Sequence, residues 1–104
     1  MNRLIYMDNA ATTFVDKRVL DAMTPYLTDM CFNPSSIYDG AQDVHTALDE
    51  ARRTIAKTIN ANEREIFFTA CGTESDNWAI KGVACANADK GKHLITSKIE
   101  HHAV

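Results

Sequence analysis

The segment Glu65–Asn77 constrains the fold of this chain more than any other stretch. Its first part, Ile66–Thr69, is a run of β-branched and aromatic residues, which is typical of a strand buried on both faces. The small residues Ala70–Gly72 then allow a sharp turn and the close approach of another group. Thr73 provides a cap for the helix that follows. Because the first N–H groups of a helix are free, this order predicts an anion site, which we interpret as a phosphate cradle formed by Cys71–Thr73.

A second interpretation of this turn stays open. The segment matches neither the G-x-G-x-x-G nor the G-x-x-x-x-G-K-[ST] pattern of phosphate-binding loops. An ordinary strand-to-helix turn, in which Gly72 and Thr73 only end one element and start the next, would use the same residues. The local pattern therefore does not separate a phosphate cradle from a simple connection.

The remaining elements place this segment in an α/β fold. Asp16 caps a predicted helix over Lys17–Met30, and a long apolar stripe predicts a second helix over Gly40–Ile59. A helix over Glu74–Ala88 follows the cradle, and His93–Ser97 is predicted as a second strand. The order predicts two leading helices and then a right-handed βαβ unit with parallel strands. The leading helices are apolar on one face, so they need a larger sheet or a partner chain to cover them.

The composition excludes several functional classes. A formal net charge of −3, with 45% hydrophobic and 24% charged residues, gives no reason to expect binding to nucleic acid or to an anionic membrane. No apolar run approaches the ~20 residues of a membrane span. The N-terminus reaches an acidic residue too early to hold a signal-peptide core.

The cysteines and histidines do not form a recognisable metal-binding pattern. Cys31, Cys71 and Cys85 are an odd number of cysteines without C-x-x-C spacing, which argues against a disulfide framework and against a zinc site. The four histidines form no i, i+4 pair on a helix. We therefore expect a cytoplasmic protein without a bound metal.

The end of the second predicted strand carries a histidine. Ligands of open α/β sheets bind beyond the carboxyl ends of the strands. If the two strands are parallel neighbours, His101 lies at the same edge as the cradle, where an imidazole can stack on a flat ligand or move protons near neutral pH. The alternative is that His101 and His102 are loop residues without a ligand.

Four stretches of the chain together resemble a known family. They are Tyr6–Thr13 (YMDNAATT), Asn33–Ser36 (NPSS), Gly72–Gly82 (GTESDN, then AIKG) and Lys98–Val104 (KIEHHAV). In order and spacing they are similar to the N-terminal quarter of the cysteine desulfurases of the NifS/IscS type, pyridoxal-phosphate enzymes of aminotransferase class V. The resemblance implies fold type I, with residues 1–38 as an N-terminal segment and first helix. Residues 39–104 would then begin the α/β domain that binds the cofactor.

The resemblance also implies roles for individual residues. Gly72 and Thr73 match the pair that binds the phosphate of pyridoxal 5'-phosphate, in agreement with the cradle. His101 matches the catalytic histidine that stacks on the pyridine ring of the cofactor and serves in proton transfer. It is the first of the two histidines because the family motif runs Glu-His-x-Ala.

For a complete enzyme the resemblance implies conversion of L-cysteine to L-alanine and an enzyme-bound persulfide. The sulfur would pass to an acceptor protein for iron–sulfur cluster assembly or thiolation, and the enzyme would be a homodimer. Two alternatives remain open. One is another class V enzyme, either a selenocysteine lyase or an aminotransferase, and the other is a non-catalytic interaction module that folds against another chain.

The chain departs from the family pattern at one residue and lacks part of the family's machinery. Cys71 stands where the family usually has Gly or Ala, and it does not match the family's catalytic cysteine. The lysine that binds the cofactor covalently, the aspartate at the pyridine nitrogen and the persulfide-forming cysteine all fall beyond Val104 in the family pattern. We therefore predict that the 104-residue chain by itself is inactive.

Overall fold

A computed structural model describes residues 5–104, so residues 1–4 of the predicted N-terminal segment lie outside the described range. The α-helices in this range are α1 (Lys17–Thr28), α2 (Asp39–Thr58) and α3 (Gly72–Ala86). A short 3₁₀ helix, Glu63–Glu65, lies between α2 and α3. In the described part of the chain no helix is both long and apolar enough to cross a membrane.

Helix α1 begins where the sequence predicts. The carboxylate of Asp16 accepts a hydrogen bond from the backbone N–H of Arg18 at 2.8 Å, which satisfies one of the free donors at the helix start. The helix continues through Pro25 and ends at Thr28. The Pro25 carbonyl then accepts the N–H groups of Asp29 and Met30 at 2.9 and 2.8 Å, so the predicted end at Met30 lies just beyond the last helical turn.

Helix α2 confirms the predicted helix to within one residue at each end. Asn60 follows it with φ of 53°, the left-handed conformation that asparagine tolerates better than most residues. The N–H of Asn60 donates to the carbonyl of Lys57 at 3.4 Å, and the N–H of Ala61 donates to that of Ala56 at 2.9 Å. This pair of bonds is a Schellman motif, and it ends the helix at Thr58, one residue before the predicted end at Ile59.

The two predicted strands are not present as strands. In the described range, neither residues 66–69 nor residues 93–97 form a ladder with another segment, and the βαβ unit is therefore not confirmed. Ile66 has the extended angles φ −101° and ψ 121°. A strand needs backbone hydrogen bonds to a neighbour in addition to an extended conformation. The apolar pattern of the sequence predicts an extended conformation, whereas the pairing of strands depends on neighbouring segments that supply hydrogen-bond partners.

Side-chain contacts connect the extended segment before α3 to the helices on either side. The guanidinium of Arg52 on α2 donates from Nε to the carbonyl of Ile66 at 3.3 Å, and its Cζ lies 5.2 Å from the ring centroid of Phe68. The ring of Phe67 meets that of Trp78 on α3 edge to face, with centroids 5.0 Å apart. Residues 66–68 are therefore held between α2 and α3.

Little of the apolar surface is buried. Among the described residues, Ala41 and Ala56 on α2 are the buried hydrophobic side chains. A close contact also occurs at Gly40, where a Cβ would lie 2.6 Å from Cε2 of Phe32, so the loop before α2 packs directly on the helix backbone. The Cα radius of gyration is 19.0 Å, larger than the roughly 13 Å of a compact domain of this length. The apolar faces predicted to need a cover remain uncovered.

Candidate functional site

The start of α3 differs from the prediction in the position of its cap. Cys71 is the N-cap, with the extended angles φ −164° and ψ 169°, and its side chain makes no capping hydrogen bond. The Cys71 carbonyl accepts the first bond of the helix from the N–H of Ser75 at 3.2 Å. The prediction that Thr73 caps this helix is wrong, because Thr73 already lies inside its first turn.

Other side chains fix the turn that leads into α3. The carboxylate of Glu74 reaches back and accepts the backbone N–H of Ala70 at 2.7 Å. The hydroxyls of Thr69 and Ser75 lie 2.6 Å apart and share a hydrogen bond. These contacts hold the turn without using the N–H groups of the first helical residues. The Glu74 carboxylate is bound to the backbone of Ala70, which precedes the helix.

The first turn of α3 is therefore open to a ligand. Among the described residues, the N–H groups of Gly72, Thr73 and Glu74 and the Thr73 hydroxyl form no hydrogen bond. A Cβ built on Gly72 meets no atom within 4 Å, so the approach to these donors is clear. Free N–H groups at the positive end of a helix are suited to the oxygens of a phosphate.

His101 lies in a tight turn, His101–Val104, which we call the His101 turn. The N–H of Val104 donates to the carbonyl of His101 at 2.9 Å, and the N–H of Ala103 donates to Nδ1 of the imidazole at 3.1 Å. A backbone N–H can only donate, so Nδ1 is the acceptor and the neutral ring carries its proton on Nε2.

Asn77 brings the His101 turn to the first turns of α3. Its side-chain Nδ2 donates to the carbonyl of Thr73 at 3.0 Å and to the carbonyl of Ala103 at 2.8 Å. The structure thus places two of the predicted site residues, Gly72 and Thr73, at an open helix start, and it connects the turn of the third, His101, to the same helix. Their predicted roles in cofactor binding and proton transfer stay predictions.

Sequence reasoning missed several contributors to this arrangement. His102 packs on His101 with ring centroids 4.0 Å apart and planes inclined by 33°, so one face of the His101 ring is already covered. Glu74 caps the preceding segment, and Asn77 bridges two segments 26 residues apart. The contact between Glu74 and Ala70 joins residues four apart, so a local sequence pattern could indicate it. The contact between Asn77 and Ala103 joins residues 26 apart and leaves no local pattern.

Within residues 5–104, the three cysteines belong to no group of side chains that could bind a metal ion. Cys31, Cys71 and Cys85 are all free and exposed. Within residues 5–104, no group of three or more His, Cys, Asp and Glu side chains is close enough to hold a metal ion.

The comparison with protein families identifies the chain. The family model of aminotransferase class V matches residues 5–104. The chain belongs to this family. The match includes the open start of α3 and the His101 turn, so both are parts of a class V chain.

Curated relatives of this class V chain are similar over its whole length. A cysteine desulfurase IscS of Methanosarcina thermophila is 58% identical over 103 residues, which is 99% of this chain and 26% of that protein. The cysteine desulfurase IscS of Dictyoglomus turgidum is 56% identical over 104 residues, all of this chain and 26% of that protein. That of Neisseria meningitidis serogroup A is 52% identical over 101 residues. The chain therefore spans about a quarter of the length of these relatives.

Proposed function

We propose that this class V chain forms the N-terminal quarter of a pyridoxal-phosphate-dependent cysteine desulfurase. The complete enzyme converts L-cysteine to L-alanine and an enzyme-bound persulfide. The proposal is supported by the motifs shared with the family and by the names of the relatives that match the chain.

The observation that carries the proposal is the open start of α3 beside the His101 turn. The N–H groups of Gly72 and Thr73, with the Thr73 hydroxyl, offer the donors that a phosphate dianion needs, and the absence of a Cβ at Gly72 leaves room for it. The residues present therefore fit the phosphate of the cofactor. When bound, pyridoxal phosphate supplies an electron sink that stabilises negative charge on the substrate carbon.

In this proposal His101 provides the imidazole at the cofactor ring. Because Nδ1 already accepts the N–H of Ala103, Nε2 is the nitrogen that exchanges protons with other groups. His102 covers one face of the imidazole, so the other face is the one that would hold the cofactor ring. The arrangement gives His101 one free face and one free nitrogen.

The proposal extends to the fold and the partners of the complete protein. The predicted strands at residues 66–69 and 93–97 become parallel strands of a fold type I sheet once neighbouring strands are present, with residues 39–104 as the start of the cofactor-binding domain. The complete enzyme is a cytoplasmic homodimer that passes sulfur to an acceptor protein, for iron–sulfur cluster assembly or thiolation.

The experiment compares pyridoxal 5'-phosphate with pyridoxal, which lacks the phosphate, as ligands of the full-length protein that carries this segment. We expect the phosphorylated compound to bind at least tenfold more tightly, since charge-assisted bonds to the phosphate contribute about 1.5–3 kcal/mol each. Equal affinity for the two compounds contradicts the phosphate cradle.

The reaction is tested on the same protein with a reductant present. L-Cysteine should yield alanine and sulfide in equal amounts. Turnover of selenocysteine but not of cysteine would instead favour a selenocysteine lyase, and transfer of an amino group to an oxoacid without sulfide release would favour an aminotransferase.

A further inference from the structure

One amide group links the two parts of the proposed site. Nδ2 of Asn77 carries two N–H donors, and the distances of 3.0 Å to the Thr73 carbonyl and 2.8 Å to the Ala103 carbonyl use both. The first acceptor belongs to the opening turn of α3, and the second belongs to the His101 turn. Asn77 is itself half-buried.

The contact made by Asn77 requires a hydrogen-bond donor, so a side chain of the same shape that lacks a donor cannot replace it. Both partners of the Asn77 amide are backbone carbonyls, which only accept. An aspartate has the same size as asparagine, but its carboxylate would present an acceptor to two other acceptors. Leaving the carbonyls unpaired and adding a negative charge would release the His101 turn.

The other hydrogen bonds of the His101 turn do not attach it to α3. Among the described residues, the bonds from Ala103 to the imidazole and from Val104 to the His101 carbonyl are internal to the turn. Val104 lines an open apolar groove with Ala79 and Ile80, and such a contact has little directional preference. The Asn77 amide is therefore the directional link between the turn and the helix.

We propose that Asn77 is a positioning residue that fixes the His101 turn, and with it the imidazole, relative to the phosphate cradle. The functional role of Asn77 rests on the proposed cofactor site. The existence of the Asn77 link does not depend on that site, because the amide donates to two carbonyls of the chain and needs no ligand.

The first test measures hydrogen–deuterium exchange of residues 101–104 in the full-length protein without cofactor. The variants N77A and N77D should each raise the exchange rate at least fivefold. Asn87 provides a matched control, because its Nδ2 donates to the Val83 carbonyl at 2.8 Å at the far end of the same helix without reaching the His101 turn. The variant N87A should leave the rate within twofold of wild type.

Two results of this test would overturn the proposal. One is unchanged exchange in both Asn77 variants. The other is wild-type exchange in N77D with fast exchange in N77A, because shape would then matter and hydrogen-bond donation would not.

The second test asks whether the bound cofactor still lies against the imidazole. Modification of His101 by diethyl pyrocarbonate is followed by mass spectrometry with and without pyridoxal 5'-phosphate, and His45 on α2 serves as the internal reference. We expect the cofactor to slow modification of His101 at least fivefold in wild type and in N87A, and less than twofold in N77A and N77D, with cofactor binding retained.

The two tests separate the two proposals. Full shielding of His101 in both Asn77 variants overturns the positioning role. If the cofactor does not shield His101 in wild type, the proposed cofactor site is wrong, and the exchange measurement still decides whether Asn77 holds the turn.

Discussion

Thr73 lies one residue inside the start of α3, and this position leaves its hydroxyl free. A capping threonine would use its oxygen on the N–H groups of its own helix. Here the extended backbone of Cys71 and the carboxylate of Glu74 order the turn, so the Thr73 hydroxyl is available to a ligand. The same shift of the cap by two positions, from Thr73 to Cys71, exposes the N–H groups that the proposed phosphate would bind.

The variant Thr73→Val tests this use of the hydroxyl in the full-length protein. It keeps the β-branched shape and removes one hydrogen bond to a charged group, so the dissociation constant for pyridoxal 5'-phosphate should rise about tenfold or more. Titration followed by the absorbance of the cofactor measures it. Thr46→Val is the control, since the Thr46 hydroxyl donates to the Gln42 carbonyl on α2 at 2.9 Å and faces no cradle. Equal affinities of the two variants would contradict a role of the Thr73 hydroxyl.

Asp16 gives a prediction about pH. The hydrogen bonds from the side chain and then from the backbone N–H of Arg18 hold the pKa of the Asp16 carboxyl below its ordinary value of 3.8. A lowered pKa in the folded state means that the carboxylate stabilises the start of α1 above the unfolded value. This stabilisation is lost as the pH falls below 3.8 and through the folded value.

We expect the amide resonance of Arg18 in an NMR titration to report this loss at acidic pH. The variant Asp16→Asn still offers a capping oxygen but has no charge to titrate. Its Arg18 resonance should therefore stay nearly constant over the same range. A titration of the same size in the variant would show that another acid is responsible.

At the scale of the elements, the end of α2 depends on one residue with positive φ. An alanine at position 60 would have to adopt the left-handed conformation at a cost of about 1 kcal/mol, whereas a glycine adopts it freely. The variant Asn60→Ala should therefore speed hydrogen exchange of the Ala61 amide about fivefold, and Asn60→Gly should leave it close to wild type. Similar exchange rates in the two variants would show that the Schellman bonds tolerate either residue.

The helices could be predicted from the sequence because their signals are local. The apolar stripe of α2, the capping Asp16 and the left-handed Asn60 each act within a few residues of the structure they determine. The strands could not, because an apolar run such as Ile66–Thr69 sets an extended conformation but does not supply a neighbour to pair with.

The candidate site divides in the same way. The small-residue turn and the free donors at Gly72 and Thr73 follow from the local order of residue types. The N-cap, Cys71, was not predicted. The link from Asn77 to Ala103 depends on two segments that only the folded chain brings together. The resemblance to the family places His101 near the cradle, but it does not name the group that holds it there.

At the scale of the whole molecule, the apolar surface decides stability. Large apolar side chains such as Ile37 and Ile95 are 95% and 87% exposed, and no large side chain is fully buried among the described residues. Burial of apolar area is the main favourable term in folding, and this chain gains little of it to offset the conformational entropy of ordering its residues.

We therefore expect the 104-residue chain to unfold without a cooperative transition. Thermal melting followed by circular dichroism should give a gradual loss of helix, and the dye ANS should bind to the folded form at low temperature. The full-length protein is the control and should melt cooperatively without binding the dye. A sharp melting transition of the 104-residue chain as a monomer would contradict this expectation.

The 104-residue chain should also release no sulfide from L-cysteine above the background of free pyridoxal phosphate and reductant. This expectation follows from the resemblance: none of the chain's lysines matches the family's cofactor-binding lysine, and none of its three cysteines matches the family's persulfide-forming cysteine. Sulfide release is measured colorimetrically. Turnover that depends on His101 would contradict the prediction.

The exposed apolar faces have a consequence for the order in which the protein is made. If the chain is the first quarter of an enzyme as long as its relatives, about 300 residues remain to be synthesised when Val104 is added. At ribosomal speeds of roughly 5–20 residues per second, that synthesis takes on the order of half a minute. During this interval the faces of α1, α2 and α3 emerge without the segments that cover them. We therefore expect the nascent chain to expose apolar surface of the kind that molecular chaperones bind.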